Sequence, residues 1–216
     1  MTPHRVEAAP NERARHWDRI WRESDPTRLS WFQPRPETSL AHIRRAGLPS
    51  GAQVLDVGGG ASTLVDHLLD LGYRPGVLDV SEEALARSRA RLGPRAAQVE
   101  WFHADVTRWV PPHQWDLWHD RAALHFLTDE ADRRAYRATL LRALRPGGQA
   151  VIAEFGPEGP PTCSGLEVRR YSAEDLEALL EPELRLEERA MEEHLSPSGR
   201  AQRFLVARLR RVPVND

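Results

Sequence analysis

The chain contains no lysine. All 30 of its basic residues are arginines, set against 32 acidic ones, so the formal charge is −2 over 216 residues. With abundant Ala, Leu, Pro and Gly, that bias reads first as a GC-rich coding preference. A near-neutral balance without a basic tail offers no electrostatic footprint for nucleic acid or an anionic membrane. Cysteine is almost absent too. Cys163 stands alone, which excludes an internal disulfide and gives an oxidising compartment no support. No apolar run approaches the ~18 residues of a membrane span. The opening MTPHRVEAAPNERARHW lacks the apolar core of a secretion signal. Cysteine pairs and histidine spacings that would make a metal site are missing as well. These deficits lead to the expectation of a cytoplasmic, metal-free protein, monomeric or homodimeric, with neither nucleic acid nor membrane as partner. At 40% apolar and 29% charged residues, the chain is long enough for one domain with a sizeable core.

What is present centres on Val54-Leu55-Asp56-Val57-Gly58-Gly59-Gly60-Ala61-Ser62. A strand running into glycines and then a helix brings backbone N–H groups and a helix N-terminus against a ligand with no side chain in the way. Around this turn the signals alternate. Strands are expected at 54–57, 76–80, 99–103, 115–119 and 149–155, and helices at 62–71, 81–92 and 129–144. A helix at 172–180 and two strands at 184–188 and 202–209 follow, the last two as an antiparallel edge hairpin. Ser81 and Ser172 stand where helix caps belong. Such alternation specifies an α/β fold: a seven-stranded, mostly parallel Rossmann-like sheet with helices on both faces and ligands at the strands' carboxyl ends. Ahead of it, 1–11 reads as a loose polar lead-in, 11–23 as a helix with Trp17, Ile20 and Trp21 on one face, and 40–46 as another short helix.

Acids stand at the ends of the neighbouring strands. Asp79 lies 21 residues beyond Gly58, where a carboxylate can accept both hydroxyls of a ribose. Asp105 follows the third strand; an acid there can accept from an adenine amino group while the Val106 N–H donates to a ring nitrogen. The dinucleotide fingerprint G-x-G-x-x-G lacks its last glycine, since Thr63 stands in that place. Asp56, just before the glycines, suits a ligand with an ammonium group and would repel a pyrophosphate. Together these elements resemble motif I, the acidic second-strand end and the third-strand Asp of the class I S-adenosylmethionine (SAM)-dependent methyltransferases. Trp115-Asp116-Leu117-Trp118, the Arg145-Pro146-Gly147-Gly148 turn and the terminal hairpin match that family too, over roughly residues 50–209. Ser62 departs from it, standing where a third glycine is common. The resemblance implies SAM as cofactor, held by Asp56, Gly58, Gly59, Gly60, Ser62, Asp79, Val80, Asp105 and Val106. It divides the chain into an N-terminal helical lid, 1–46, and a methyltransferase domain, 47–216.

Two further segments bear on the acceptor. His16-Trp17-Asp18-Arg19-Ile20-Trp21 with Ser30-Trp31-Phe32-Gln33 resembles the W-x-x-x-W and aromatic-Gln lid of thiopurine and related thiol methyltransferases. Trp118-His119-Asp120-Arg121-Ala122-Ala123-Leu124 resembles the Asp-Arg-Gly-Ala-Leu run after strand four there, with Ala122 in place of the glycine. By that resemblance Trp17 and Trp21 cover the cofactor together with His119. His119, Asp120 and Arg121 line the reaction centre, with His125 one turn on and Glu154 as further candidates. Read as residues alone, the tryptophans could equally anchor a helix, Asp120 and Arg121 could pair or cap, and His125 could be a buried histidine. The Gly/Pro-rich loop 156–165 carries Cys163, either a substrate contact or a passive filler. No Asn-Pro-Pro-Tyr or Asp-Pro-Pro-Tyr run follows strand four, which argues against the amino-methylating DNA, RNA and glutamine enzymes. The expected function is methyl transfer from SAM to a small molecule, with a thiol or other soft nucleophile first. The alternatives are a protein-lysine methyltransferase and a SAM- or nucleotide-binding protein without catalysis.

Overall fold

The sheet is organised around β1 (Gln53–Val57), which is buried on both faces as a central parallel strand must be. In a computed structural model, which describes residues 12–213, β2 (Arg74–Asp79) and β4 (Trp115–Arg121) flank β1, both parallel to it. β3 (Glu100–His103) lies outside β2 and β5 (Leu144–Phe155) outside β4, again parallel. An antiparallel pair completes the sheet: β7 (Ala201–Arg211) runs against β5, and β6 (Leu184–Leu195) against β7. The order is therefore β3-β2-β1-β4-β5-β7-β6, the mostly parallel Rossmann-like sheet with a terminal hairpin that the alternation specifies. The lead-in 1–11 and the last three residues lie outside the described residues.

Strand alternation sorts the core into two layers. Val54 and Leu117 pack with Leu40 and Ile43 of α2 (Glu37–Arg45) and Leu64 and Leu68 of α3 (Leu64–Asp70). Leu55, Val57 and Trp118 face the other way, onto Tyr136 and Leu140 of α5 (Glu130–Ala143) and Leu176 and Leu180 of α6 (Ala173–Leu180). α4 (Glu82–Leu92) covers β2 through Leu85 and Leu92, with the Ser81 hydroxyl accepting the Ala84 N–H as its cap. α6 opens on a capping box of Ser172 and Asp175. α1 (Glu12–Glu23) is tied to the sheet's carboxyl edge. Asp18 accepts from Ser81 Oγ at 2.7 Å, Arg22 pairs with Glu83 at 2.7 Å, and Arg13 reaches Asp105 and Asp132 at 2.9 and 2.7 Å.

Several boundaries differ from the sequence expectation, and three bear on the site or the sheet edge. β4 continues two residues past 119, because nothing in His119-Asp120-Arg121 breaks a strand; the break comes at Ala122, with φ of +66°. α3 begins at Leu64, since the Ser62 hydroxyl accepts the Leu64 N–H and holds the preceding residues in a turn. The terminal hairpin is much longer than 184–188 and 202–209. Its outer half carries few apolar residues, so no alternation is visible there. Cross-strand pairing supports it instead, with residues 189–195 running antiparallel to 201–207 and Glu193 3.9 Å from Arg203. The same charges deter pairing of this edge with another sheet.

Among the described residues no helix is long and apolar enough to cross a membrane. One packing constraint crosses three strands: the Trp115 indole reaches over β1 to Gly76 of β2, where an added Cβ would lie 2.3 Å from its ring. Gly76→Val should therefore destabilise the fold by about 1–3 kcal/mol, the usual effect of overpacking, seen as a lower urea midpoint with an unchanged slope.

Candidate functional site

After Val57 the chain leaves β1 where the strand order reverses, the place at which open α/β sheets bind ligands. Gly58 turns there with φ of +65°, and a Cβ on it would sit 2.7 Å from the Ala123 methyl. At Gly59 an added Cβ would fall 2.5 Å from Asp56 Oδ2. The turn thus needs glycine both for its backbone and to lie against its neighbours. Asp56 is buried on the α2/α3 side. The His119 Nδ1–H donates to its Oδ1 at 2.7 Å, and His119 Nε2 meets the Ser39 hydroxyl at 2.9 Å. Ser88 Oγ donates to the Gly60 carbonyl at 2.8 Å, fixing the exit from the turn on α4.

Two adjoining chambers open beside this turn and share Trp21, Trp31, Gly58 and Arg121 in their walls. The larger, of about 900 Å³, runs from Asp79, Val80, Asp105 and Val106 at the ends of β2 and β3 to Phe126, Phe155, Cys163, Gln202 and Phe204. The smaller, of about 630 Å³, lies against Asp56, Gly58, Gly59, Ser62 and His119. Aromatic rings from the N-terminal segment roof both. Trp17 stands edge-on to Trp31 and to Phe126, with centroids 5.8 and 4.9 Å apart, and Trp21 stands edge-on to Trp31 at 6.0 Å. Thr63 Oγ1 donates to the Gln33 carbonyl at 3.2 Å and ties the roof to the start of α3.

The acids differ in character. Burial, with the nearby charge of Asp56, pushes the Asp79 carboxyl up to about 7, although it accepts the Ser81 N–H at 2.8 Å. Asp105 is a paired carboxylate: Oδ2 meets Arg13 at 2.9 Å, while Oδ1 accepts the Thr107 N–H and hydroxyl at 2.9 and 2.8 Å.

The four residues expected at the reaction centre do not converge. Because β4 runs through Arg121, its side chains alternate: His119 and Arg121 fall on the α2/α3 side with Leu117, and Asp120 on the α5/α6 side with Trp118. Asp120 is fully buried there. It accepts the Ala123 N–H at 2.9 Å and the Tyr136 hydroxyl at 2.7 Å, and that hydroxyl accepts the Trp118 indole N–H at 2.9 Å. Glu154 of β5 lies beside it, accepting the Leu124 and His125 N–H groups at 3.2 Å each. Burial and the charge of Asp120 push the Glu154 carboxyl well above its ordinary range, so Glu154 keeps its proton and donates it to Asp120.

His125 is sealed between Phe126 and Phe155, with ring centroids 4.4 and 4.7 Å away. Burial, reinforced by the Arg121 charge, lowers its pKa to about 3, so the ring is neutral. Neither Asp120 nor His125 borders a chamber. Both, expected at the reaction centre, instead lie in the core behind the chamber walls. His119 borders the smaller chamber, with one ring nitrogen on Asp56 and the other on Ser39. Arg121 alone borders the larger chamber. Its guanidinium lies 4.5 Å from the Phe204 ring centre and gives one N–H to the Trp31 carbonyl at 3.3 Å. Ala122, at the position where the resembling families carry glycine, takes the left-handed conformation that glycine adopts without strain. Cys163 sits in the chamber wall, and burial pushes its thiol up, which keeps it protonated at neutral pH.

Arg13, Ser39, Tyr136, Gln202 and Phe204 belong to this site and went unread in the sequence. Each acts only on residues remote along the chain, so no local pattern marks it. Among the described residues no three His, Cys, Asp or Glu side chains gather as metal ligands.

Residues 54–148 match the family described as a methyltransferase domain. Nodulation protein S of Rhizobium tropici is 33% identical over 141 residues, which is 64% of this chain and 57% of that protein. The chain thus spans less than two thirds of that relative's length. Two solved structures share the fold over nearly the whole chain. One, from work on the conversion of a disulfide bond into a thioacetal group during echinomycin biosynthesis, is 24% identical, with a TM-score of 0.74 over 94% of both chains. The other, the N-methyltransferase NodS of Bradyrhizobium japonicum WM9 with S-adenosyl-L-homocysteine, is 22% identical, with a TM-score of 0.72 over 93% of this chain and 99% of that one. At these identities the likeness establishes the fold.

The shared proton makes a stability signature. Folded, Glu154 keeps a proton that the unfolded chain gives up above about pH 4.3, so stability falls as pH rises from that range toward neutrality. Glu154→Gln keeps a donor for Asp120 but cannot titrate. Urea midpoints measured from about pH 5 to 8 should decline less steeply in that variant than in the wild type. Tyr136→Phe leaves the Trp118 N–H unpaired and takes a donor from Asp120, and should cost about 1–3 kcal/mol.

Proposed function

We propose that the protein transfers a methyl group from SAM to a small-molecule acceptor. The observation that carries this reading is one continuous cavity wall. It holds the glycine turn, Asp79 and Asp105 at one end, and an apolar chamber bordered by Arg121 at the other. The residues fit such a donor. Gly58 and Gly59 pack the turn against Ala123 and Asp56 and line the cavity with backbone alone. The Asp79 carboxyl at the end of β2 is placed to accept from both ribose hydroxyls, and Asp105 with the Val106 N–H to meet an adenine edge. Asp56, steered by His119 and Ser39, is an acid for an ammonium group beside the turn, where Ser62 also lines the wall. When bound, the donor supplies an electrophilic methyl group on a sulfonium. The protein's own aromatic roof of Trp17, Trp21 and Trp31 excludes water and offers ring faces to a cation.

Of the expected bases, Asp120 and His125 are buried behind the chamber and His119 is committed to Asp56 and Ser39. Alignment and desolvation are then what the protein contributes to the rate. This supports an acceptor that is nucleophilic without a base, a thiolate or another soft nucleophile, and the positive charge of Arg121 lowers the pKa of an acidic group beside it. The paired tryptophans over the cavity support kinship with the thiopurine and thiol methyltransferases, and the sulfur chemistry of the echinomycin neighbour points the same way. The N-methyltransferase neighbour supports a nitrogen acceptor as the second reading. An aromatic roof over the chamber favours a small molecule over a lysine on a folded protein.

S-adenosyl-L-homocysteine (SAH) should bind and raise the melting temperature. Asp79→Ala should weaken that binding about tenfold to a hundredfold, the loss of a charged hydrogen-bond acceptor. Hydroxyl donors favour the ionised form of Asp79, whose pKa is about 7 in the free protein. Binding near neutral pH should therefore expel its proton, and affinity should rise as pH climbs through 7. Calorimetry in buffers of different ionisation enthalpy reads this proton release, and Asp79→Asn should abolish it. A turnover screen with SAM against thiols, phenols, amines and carboxylates should yield SAH. Binding of SAH with no turnover on any acceptor would instead identify a non-catalytic binding protein.

A further inference from the structure

Among the described residues Arg121 is a cation with no anion in an ion pair. Its guanidinium stands over Phe204 and gives one N–H from Nη1 to the Trp31 carbonyl. Glu154 and Glu192 act on it only at longer range. Its Nε and Nη2 are sealed from solvent and have no hydrogen-bond partner among the described residues. A buried charge with unmet donors is among the most destabilising features a fold can carry, and this one sits where the two chambers meet.

The unmet donors share a geometry. In the planar guanidinium, Nε–H and an Nη2–H point the same way along one edge, spaced to meet both oxygens of a carboxylate. Nη1, which serves Trp31, lies off that edge. A second orphan faces the same chamber: Gln202 of β7 is 7% exposed, lines the larger chamber only, and its Oε1 accepts no hydrogen bond. An amide oxygen there calls for an N–H or O–H on the occupant. The remaining wall, Phe155, Cys163 and Phe204, is apolar.

We propose that the methyl acceptor carries a carboxylate, held two-pronged by Nε and Nη2 of Arg121, with Gln202 Oε1 accepting from an N–H or O–H of the same molecule. This rests on the methyl-transfer reading of the cavity. The donor's own carboxylate is the second source of the same chemistry, because Arg121 also borders the glycine-turn chamber. Gln202 and Phe204 border only the larger chamber and not the one against Asp56 and Gly59, where the donor's ammonium and carboxylate end would lie, and that assigns the fork to the acceptor. The anchor then acts as a specificity element: it fixes one end of the acceptor and leaves the reactive atom at a set distance from the glycine turn.

Calorimetry on wild-type protein and Arg121→Met separates the sources. SAH is titrated first. The SAH-loaded proteins are then titrated with benzoate, anthranilate and thiosalicylate, each against its neutral amide. Wild type should prefer the carboxylates about tenfold or more, Arg121→Met should lose that preference, and SAH affinity should stay within about threefold. Arg121→Met should melt no lower than wild type, since it removes an unpaired buried charge, so loss of folding does not confound the comparison. If Arg121→Met weakens SAH about tenfold while carboxylates and amides bind wild type alike, the fork serves the donor and the acceptor assignment is overturned. Unchanged SAH affinity with no carboxylate preference overturns the fork altogether. Failure of wild type to bind SAH would sink the donor site instead, and the carboxylate titrations repeated without SAH would still read the fork.

Discussion

One buried proton holds the carboxyl end of β4 in place. Asp120 and Glu154 lie side by side in an apolar layer where two ionised carboxylates could not both persist. Glu154 keeps its proton and donates it to Asp120. Asp120 can then accept from Ala123 and Tyr136, and Glu154 from the backbone of Leu124 and His125. These bonds fix the turn that follows Arg121. They set Ala123 against Gly58 and leave Arg121, the strand's last residue, on the cavity side. Loss of that arrangement would release both the glycine turn and Arg121.

The two faces of the sheet divide the work. Behind β4, the chain of Trp118, Tyr136, Asp120 and Glu154 is closed on itself, with its donors and acceptors matched inside a core of Leu and aromatic residues. Burial of that apolar surface supplies most of the stability, and the polar chain decides where the strand ends. In front of β4, Ser39, His119 and Asp56 form a shorter chain that reaches the cavity. Beside it at the cavity, Nε and Nη2 of Arg121 and Oε1 of Gln202 have no partner among the described residues, and a ligand there would complete them.

The roof is held differently from the floor. α1 rests on ion pairs between half-exposed side chains, Arg13 with Asp105 and Asp132, and Arg22 with Glu83. Such pairs contribute little singly and weaken with salt. The edge-on contacts of Trp17, Trp21, Trp31 and Phe126 add packing. Arg13 links this roof to the acid at the end of β3, so the proposed adenine subsite and the lid share a residue.

Much of this was legible in the sequence, because the signals are local. Alternating periods mark strands and helices, Gly58 and Gly59 mark a turn that excludes a Cβ, and the spacing to Asp79 and Asp105 puts one acid at the end of each following strand. Ser81 and Ser172 mark helix starts within a single turn. The tertiary structure decided the rest, because it depends on distances and burial that no short window contains. Two more residues of β4 sent Asp120 behind the sheet and kept His119 and Arg121 in front. The aromatic pocket around His125 made a histidine neutral. Gln202 and Phe204, on a strand that the sequence marks only as an edge hairpin, came to stand with Arg121, more than 80 positions earlier. The sequence by itself determined which elements form and which strand ends carry the glycine turn and its acids. Which side chains reach the cavity, and which carry a proton, was settled only when β5 and β7 closed against β4 and excluded water.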